Sequence, residues 1–163
     1  MADFVLSSEE DYFSGDTPRE IIDSTIKAVK DILDEHYPGH LSFDEGSFTI
    51  SRGSTQVMII VRDYTSQEAS VECIATVVSG AKITDDLMRF LLRKNSELHF
   101  GAFGLMFDDT ITFSYSFSSS ALEAHELKIA LDTVAIISDY YDDIIVDLAG
   151  GKRAKDNLEE IEN

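Results

Sequence analysis

The sequence predicts an α+β fold: one antiparallel sheet of about five strands with three helices, in the order α-β-β-β-α-β-β-α. Three segments carry apolar residues at intervals of three and four, which is typical of amphipathic helices. Five shorter segments are rich in β-branched and aromatic residues and are separated by turn residues. With 163 residues, 44% of them hydrophobic, the chain can bury one core. We expect the first and third helices to cover the sheet mainly on one side.

The first helix is predicted from Thr17 to about His36. Thr17 is expected to cap it, Pro18 stands at the first helical position, and Glu20 has the spacing of a capping box. The turn Tyr37–Gly39 ends it. Its core-facing stripe is Ile22, Ile26, Val29 and Leu33.

Three strands are predicted next, at Ser47–Ser51, Gln56–Arg62 and Ser70–Val78. Val57 to Val61 are apolar without alternation, which predicts a central strand covered on both sides. Cys73 falls on the apolar phase of its strand, which favours a small buried side chain over a reactive thiol.

The second helix is predicted from Thr84, its capping residue, to about Leu98. Its core-facing stripe is Leu87, Phe90, Leu91 and Leu98. Met88 and Leu92 fall outside this stripe and widen the apolar surface of the helix. They indicate either contact with another molecule or burial of the helix on a second side against the third helix.

Two further strands, Ala102–Phe107 and Thr110–Phe117, are predicted to form a hairpin with a tight turn at Asp108–Asp109. The aromatic side that should face the core is Phe103, Leu105, Phe107, Ile111, Phe113, Tyr115 and Phe117. The other side is small and hydroxylated. Gly101 and Gly104 indicate a bulge or the close approach of another backbone.

The third helix is predicted to begin after Ser120, where Glu123 has capping-box spacing, and to end at Gly150–Gly151. Its predicted stripe is Ala130, Val134, Ile137, Tyr141, Ile144 and Leu148. The chain therefore divides into an acidic N-terminal extension (1–16), one domain (17–149) and a charged flexible tail (150–163).

The net charge limits the partners. Thirteen Lys and Arg residues against thirty-one Asp and Glu residues give a formal net charge of −18. This charge repels nucleic-acid phosphates and anionic lipids and favours basic partners. With no signal-peptide pattern, no apolar run of membrane-spanning length and a single cysteine, the sequence predicts a soluble, cytoplasmic protein.

No catalytic motif or cofactor-binding motif is present, and the four histidines lack the spacing of a zinc site. The carboxylates that could share one side of the last helix and hold a hard cation are Asp139, Asp142, Asp143 and Asp147. Such a run is more often the solvated side of a surface helix. The sequence therefore predicts a protein without enzymatic activity, metal or cofactor.

Two motifs carry a family resemblance. "LLRKNSEL" followed by "FGAFGL", and "ALDTVAIISDYYDDII" in the last helix, resemble YbjN-like bacterial domains, which are similar in fold to type III secretion chaperones. The resemblance covers roughly residues 17–149. It implies a dimeric, non-enzymatic cytosolic module. The secretion chaperones hold extended segments of client proteins, and the YbjN-like members are regarded as regulators.

Together these observations predict a protein-binding module, chaperone-like or regulatory, that acts as a homodimer and binds a protein or peptide client of basic character. The alternative is a small metal-dependent sensor or enzyme that uses the acidic cluster. The candidate residues for the partner or dimer interface are Met88, Leu92, Ala102, Gly104 and Met106.

Overall fold

The computed structural model describes the backbone of residues 15–161 and the side chains of residues 15–44 and 46–157. The predicted N-terminal extension therefore lies almost wholly outside the described residues. The helices are α1 (Arg19–His36), α2 (Asp85–Glu97), α3 (Ala124–Ala149) and α4 (Ala154–Ile161). The strands are β1 (Leu41–Phe43), β2 (Ser47–Arg52), β3 (Thr55–Asp63), β4 (Ala69–Ser79), β5 (Ala102–Leu105), β6 (Ile111–Ser118) and β7 (Lys152–Arg153).

The fold is α+β with a single antiparallel sheet, as predicted. The strand order is β1-β2-β3-β4-β6-β5, and β7 pairs with the end of β4. The five predicted strands correspond to β2–β6. The sequence prediction lacked β1, β7 and α4, because strands of two and three residues are too short to show a period and α4 falls in the segment predicted as a tail.

Helices α1 and α3 cover one face of the sheet, as expected. Val57, Ile59 and Val61 are buried on this face, and the buried side chains of α1 and α3 pack against it. The prediction that β3 is covered on both sides is wrong, because the intervening Met58 is 43% exposed. The run from Val57 to Val61 is apolar because the uncovered face of β3 also carries apolar side chains. Periodicity alone does not distinguish such a strand from one that is buried on both faces.

Both predicted capping boxes are wrong. The N-cap of α1 is Pro18, while the Thr17 hydroxyl donates to the carbonyl of Glu68 and accepts from the backbone N–H of Tyr64, at 3.1 and 2.7 Å. Thr17 therefore ties the start of α1 to the β3–β4 turn. Ser120 lies in a 3₁₀ turn before α3. Thr84 caps α2 as predicted, since its Oγ1 accepts from the N–H of Leu87.

The β5–β6 hairpin is shorter than predicted. Its turn is closed by the N–H of Met106 donating to the carbonyl of Thr110, with Asp109 in the left-handed region at φ 64°. Phe103 is buried as expected, but Leu105 is exposed and Phe107 is 98% exposed. Phe107 was predicted to face the core. It instead lies in the turn, beyond the end of the sheet, where no helix covers it.

The segment after α3 folds back onto the sheet. Gly150 ends α3 at φ 70°, and β7 pairs with Val78 and Ser79 of β4. A Cβ on Gly151 would lie 2.6 Å from the carbonyl oxygen of Ser79, so only glycine fits where the two backbones meet. Arg153 binds the carboxylates of Asp143 and Asp156, at 2.7 and 2.8 Å.

Candidate functional site

The face of the sheet opposite α1 and α3 carries a row of apolar side chains. Cross-strand partners share a face, and the register aligns Leu41 with Thr49, Thr49 with Met58, and Met58 with Ile74. Beside this row lie Phe43 and Ile60. Leu41, Phe43 and Met58 are exposed. We call this surface the open face.

The other half of the open face is small and polar. Continuing the register, Ile74 pairs with Ser114, and Ser114 with Ala102, while Thr112 pairs with Gly104. The change from large apolar to small hydroxylated side chains therefore occurs between β4 and β6. The hydroxylated side predicted for the hairpin is part of this face.

A groove of about 390 Å³ crosses the open face. We define the open-face groove by the residues along its floor and far end, which are Met58, Ile60, Ile74, Thr76, Thr112 and Met106. Ala154 and Asn157 of α4 form part of its wall, and Asn157 Nδ2 donates to the hydroxyl of Ser79 at 3.0 Å. The C-terminal segment thus takes part in the site.

A second apolar surface lies on the side of the molecule where α2 and α3 meet. A cleft of about 420 Å³ between the α2–β5 connection and α3 includes Phe100 and Ile136 among its lining residues. Both are exposed, as are Tyr140 of α3 and, on α2, Met88 and Leu92. We use the name helix-side surface for the set of exposed apolar residues on this side of the molecule, which comprises Met88, Leu92, Phe100, Ile136 and Tyr140.

The five candidate interface residues fall on two sides of β5. Phe90 of α2 and Phe103 of β5 both contact the ring of Tyr141, with ring centroids 6.3 and 5.3 Å apart, so α2 lies on the covered side. Met88 and Leu92 on α2 are 41% and 69% exposed, so neither is buried against α3 within one chain. The open-face members are Ala102, Gly104 and Met106.

Asn95 closes the middle of the outer edge of β5. Its side-chain oxygen accepts from the N–H of Phe103 at 2.7 Å, and its amide nitrogen donates to the carbonyl of Phe103 at 3.1 Å. These backbone groups point away from β6 and would otherwise be open to another strand. Sequence analysis missed this role. An asparagine in the last turn of a helix before an edge strand is compatible with it, but the sequence does not show which backbone groups lie within reach.

Three of the four candidate carboxylates on α3 have separate protein partners. Asp139 accepts from the hydroxyl of Ser54, Asp143 pairs with Arg153, and Asp142 lies 3.8 Å from Lys155 Nζ. Among the side chains that the structure describes, no three His, Cys, Asp or Glu residues are arranged to hold a metal ion. Asp142 is only 6% exposed, so it does not belong to a solvated helix side.

Asp142→Asn is expected to raise the free energy of unfolding at pH 7 by about 1 kcal/mol. Burial raises the pKa of Asp142 above its ordinary value of 3.8, and its Oδ1 has no hydrogen-bond partner. The folded state therefore binds the carboxyl proton of Asp142 more tightly than the unfolded state does. Because of this difference, ionisation of Asp142 lowers the free energy of unfolding as pH rises from 3.8 through the folded pKa. The gain from Asn should therefore shrink as pH falls through that range.

Urea denaturation of both proteins between pH 4 and pH 8 measures this difference. Asp143→Asn is the matched control, because its exposed carboxylate pairs with Arg153 and its removal should not stabilise the fold. A constant difference between Asp142→Asn and the wild type across the pH range would contradict the prediction.

Comparison with known proteins identifies the family. A family model described as "T3SS (YopN, CesT) and YbjN peptide-binding chaperone 1" matches residues 20–157. The chain belongs to this peptide-binding chaperone family. The resemblance drawn from "LLRKNSEL" and "FGAFGL" is thereby confirmed, and so is a protein-binding role in general terms.

A solved structure shares the fold of this family member. A chain in the crystal structure of the ExsC-ExsE complex is similar to it with a TM-score of 0.60 and 13% identity, over 77% of this chain and 96% of that one. Comparison with curated proteins finds no significant match. Within residues 15–161, no helix of this chaperone-family chain is long and apolar enough to cross a membrane.

Proposed function

We propose that this chain is a non-enzymatic chaperone or regulatory adaptor that binds an extended protein segment and acts as a homodimer in the cytoplasm. The observation that carries the proposal is the pair of apolar surfaces, one on the open face and one on the helix side, within a family of peptide-binding chaperones. A monomer without a partner would expose both to water. The proposal assigns one surface to the dimer and the other to the client.

The helix-side surface suits contact between two copies. Each copy carries a formal charge of −18, so two copies repel unless the contact avoids acidic groups. On α2, three cations (Arg89, Arg93 and Lys94) balance three carboxylates (Asp85, Asp86 and Glu97), so this helix is neutral in an otherwise acidic protein. A contact through α2 therefore brings the exposed Met88 and Leu92 to the interface without adding to the repulsion between two copies.

Leu92→Arg is expected to convert a dimer into a folded monomer. The wild-type side chain is 69% exposed in one chain, so the substitution does not disturb the protomer core, while it places a further cation beside its counterpart in a two-fold contact. Light scattering coupled to size exclusion measures the mass, and circular dichroism checks the fold. Leu41→Arg, a similarly exposed leucine on the open face, should remain dimeric.

A wild-type monomer, or a Leu92→Arg protein that stays dimeric, would exclude the helix-side surface as the dimer contact. Peptide binding is tested independently with a cellulose array of peptides of varied apolar and charged composition, probed with the labelled wild-type protein. Retention on apolar peptides supports the proposed function, and binding to no peptide of the array would contradict it.

A further inference from the structure

We infer that the open-face groove is the client site and that it takes an extended segment of a partner protein with an apolar, uncharged centre and lysine or arginine residues at both ends. This inference rests on the proposed peptide-binding function. It adds to that function the location of the site and the chemistry of the client.

The centre of the groove favours apolar side chains without charge. Met58, Ile60 and Ile74 form its apolar part. Among the described side chains that line it, Arg62 is the one charged residue, and its Nε lies 2.7 Å from Glu72 Oε2. A charged client side chain placed here would lose water without gaining a counter-ion. Apolar client side chains would instead be removed from water against the floor.

The polar half of the open face, beside the groove, admits a peptide backbone. Thr76 and Ser114 offer hydroxyl groups, and the small side chains at Ala102 and Gly104 leave room for a main chain. Hydroxyls can donate to or accept from the main-chain groups of an extended segment whatever its sequence. This half therefore contributes affinity without demanding particular client side chains.

Exposed carboxylates lie beyond each end of the groove, near the two edges of the open face. Asp44 follows Phe43 at the β1 edge, and Asp108 and Asp109 follow Met106 at the hairpin turn. Backbone hydrogen bonding to Thr110 lowers the pKa of Asp108 and keeps it ionised. Basic residues at both ends of a client segment would meet these carboxylates, in a protein whose overall charge of −18 also attracts them.

The spacing of the strands sets the length of the client segment. From β1 to β5 there are five steps between neighbouring strands, which correspond to about 24 Å at about 4.8 Å each. An extended chain covers this distance with about seven residues. Because Ala154 and Asn157 wall one side of the groove, the segment should run across the strands from Phe43 toward Met106.

The first test uses a fluorescent peptide of alternating leucine and serine, about seven residues long, with two lysines at each end. We expect the wild type to bind it, and Met58→Ser combined with Ile74→Thr to bind at least tenfold more weakly. Leu148→Ser is the matched control, because it removes an exposed leucine outside both the groove and the helix-side surface, and it should bind as the wild type does. A peptide with glutamates in place of the lysines should bind at least tenfold more weakly than the lysine peptide.

The second test locates the bound peptide. Cys73 is fully buried, and burial raises the pKa of its thiol to about 12, so a thiol-reactive benzophenone should leave it unmodified. Ser116→Cys places the photo-crosslinker on the exposed open face, and Ser96→Cys places it on α2. We expect the peptide to be crosslinked from position 116 and not from position 96.

Each other outcome overturns the inference in a distinct way. Binding that is unaffected by the Met58→Ser/Ile74→Thr variant, or crosslinking from position 96 alone, would remove the groove as the site and leave the peptide-binding role intact. Failure of the lysine peptide to bind a protein that retains array peptides would refute the client chemistry. Without peptide, a crosslink from position 116 to a second copy or to residues 1–14 would assign the groove to that occupant instead.

Discussion

Gly101→Ala is expected to destabilise the fold by about 2–4 kcal/mol, through a left-handed backbone and an overpacked core. Gly101 has φ 76°, a conformation that alanine adopts only at a cost. An alanine Cβ would also lie 2.7 Å from both Phe113 Cε1 and the carbonyl oxygen of Ser114. Phe113 is fully buried and packs against Phe103, so its ring has no free space into which to move.

Gly80→Ala is the matched control for this prediction. Gly80 has a similar φ of 69°, but no atom lies within 4 Å of the position its Cβ would take. It should therefore show only the conformational cost of about 1–2 kcal/mol. Urea denaturation of both variants separates the two contributions. Equal losses of stability in the two variants would mean that the side chains around Gly101 move to accommodate the added Cβ, contrary to the prediction.

Asn95→Ala is expected to lower the free energy of unfolding by about 2–3 kcal/mol and to promote association through the β5 edge. The substitution removes two hydrogen bonds and leaves both backbone groups of Phe103 without a protein partner. Those groups would then be open to strand pairing with another chain. Thermal denaturation measures the first effect, and light scattering at increasing protein concentration measures the second.

Two further variants distinguish edge protection from a general loss of helix stability. Asn95→Asp keeps an acceptor for the N–H of Phe103 but cannot donate to its carbonyl. The stability of this variant should therefore lie between those of Asn95→Ala and the wild type. Ser96→Ala changes the next, exposed position of α2 and should have little effect. If Asn95→Ala behaved as Ser96→Ala does, the edge of β5 would not depend on Asn95.

Sequence patterns located most elements because those elements satisfy local rules. The predicted α2, with Thr84 as its cap, agrees with Asp85–Glu97, and α3 ends at Gly150 as predicted. Met88 and Leu92 stood out as apolar residues beyond the core stripe, and both are exposed. The prediction failed where a residue could serve in two places. The Thr17 hydroxyl could cap α1 or bind the β3–β4 turn, and in the structure it binds the turn.

By itself, the sequence determined the α+β class, the acidic charge and the family resemblance, since composition, periodicity and motifs are local properties of the chain. Only the tertiary structure decided that Met58 and Ile74 align on an open face, that Asp142 is buried, and that β7 and α4 return to border the groove. These features depend on which segments, distant in sequence, contact one another. The strand register, the packing of α3 and the pairing of β7 with β4 determine these contacts, and the hydrophobic period of a single segment does not encode them.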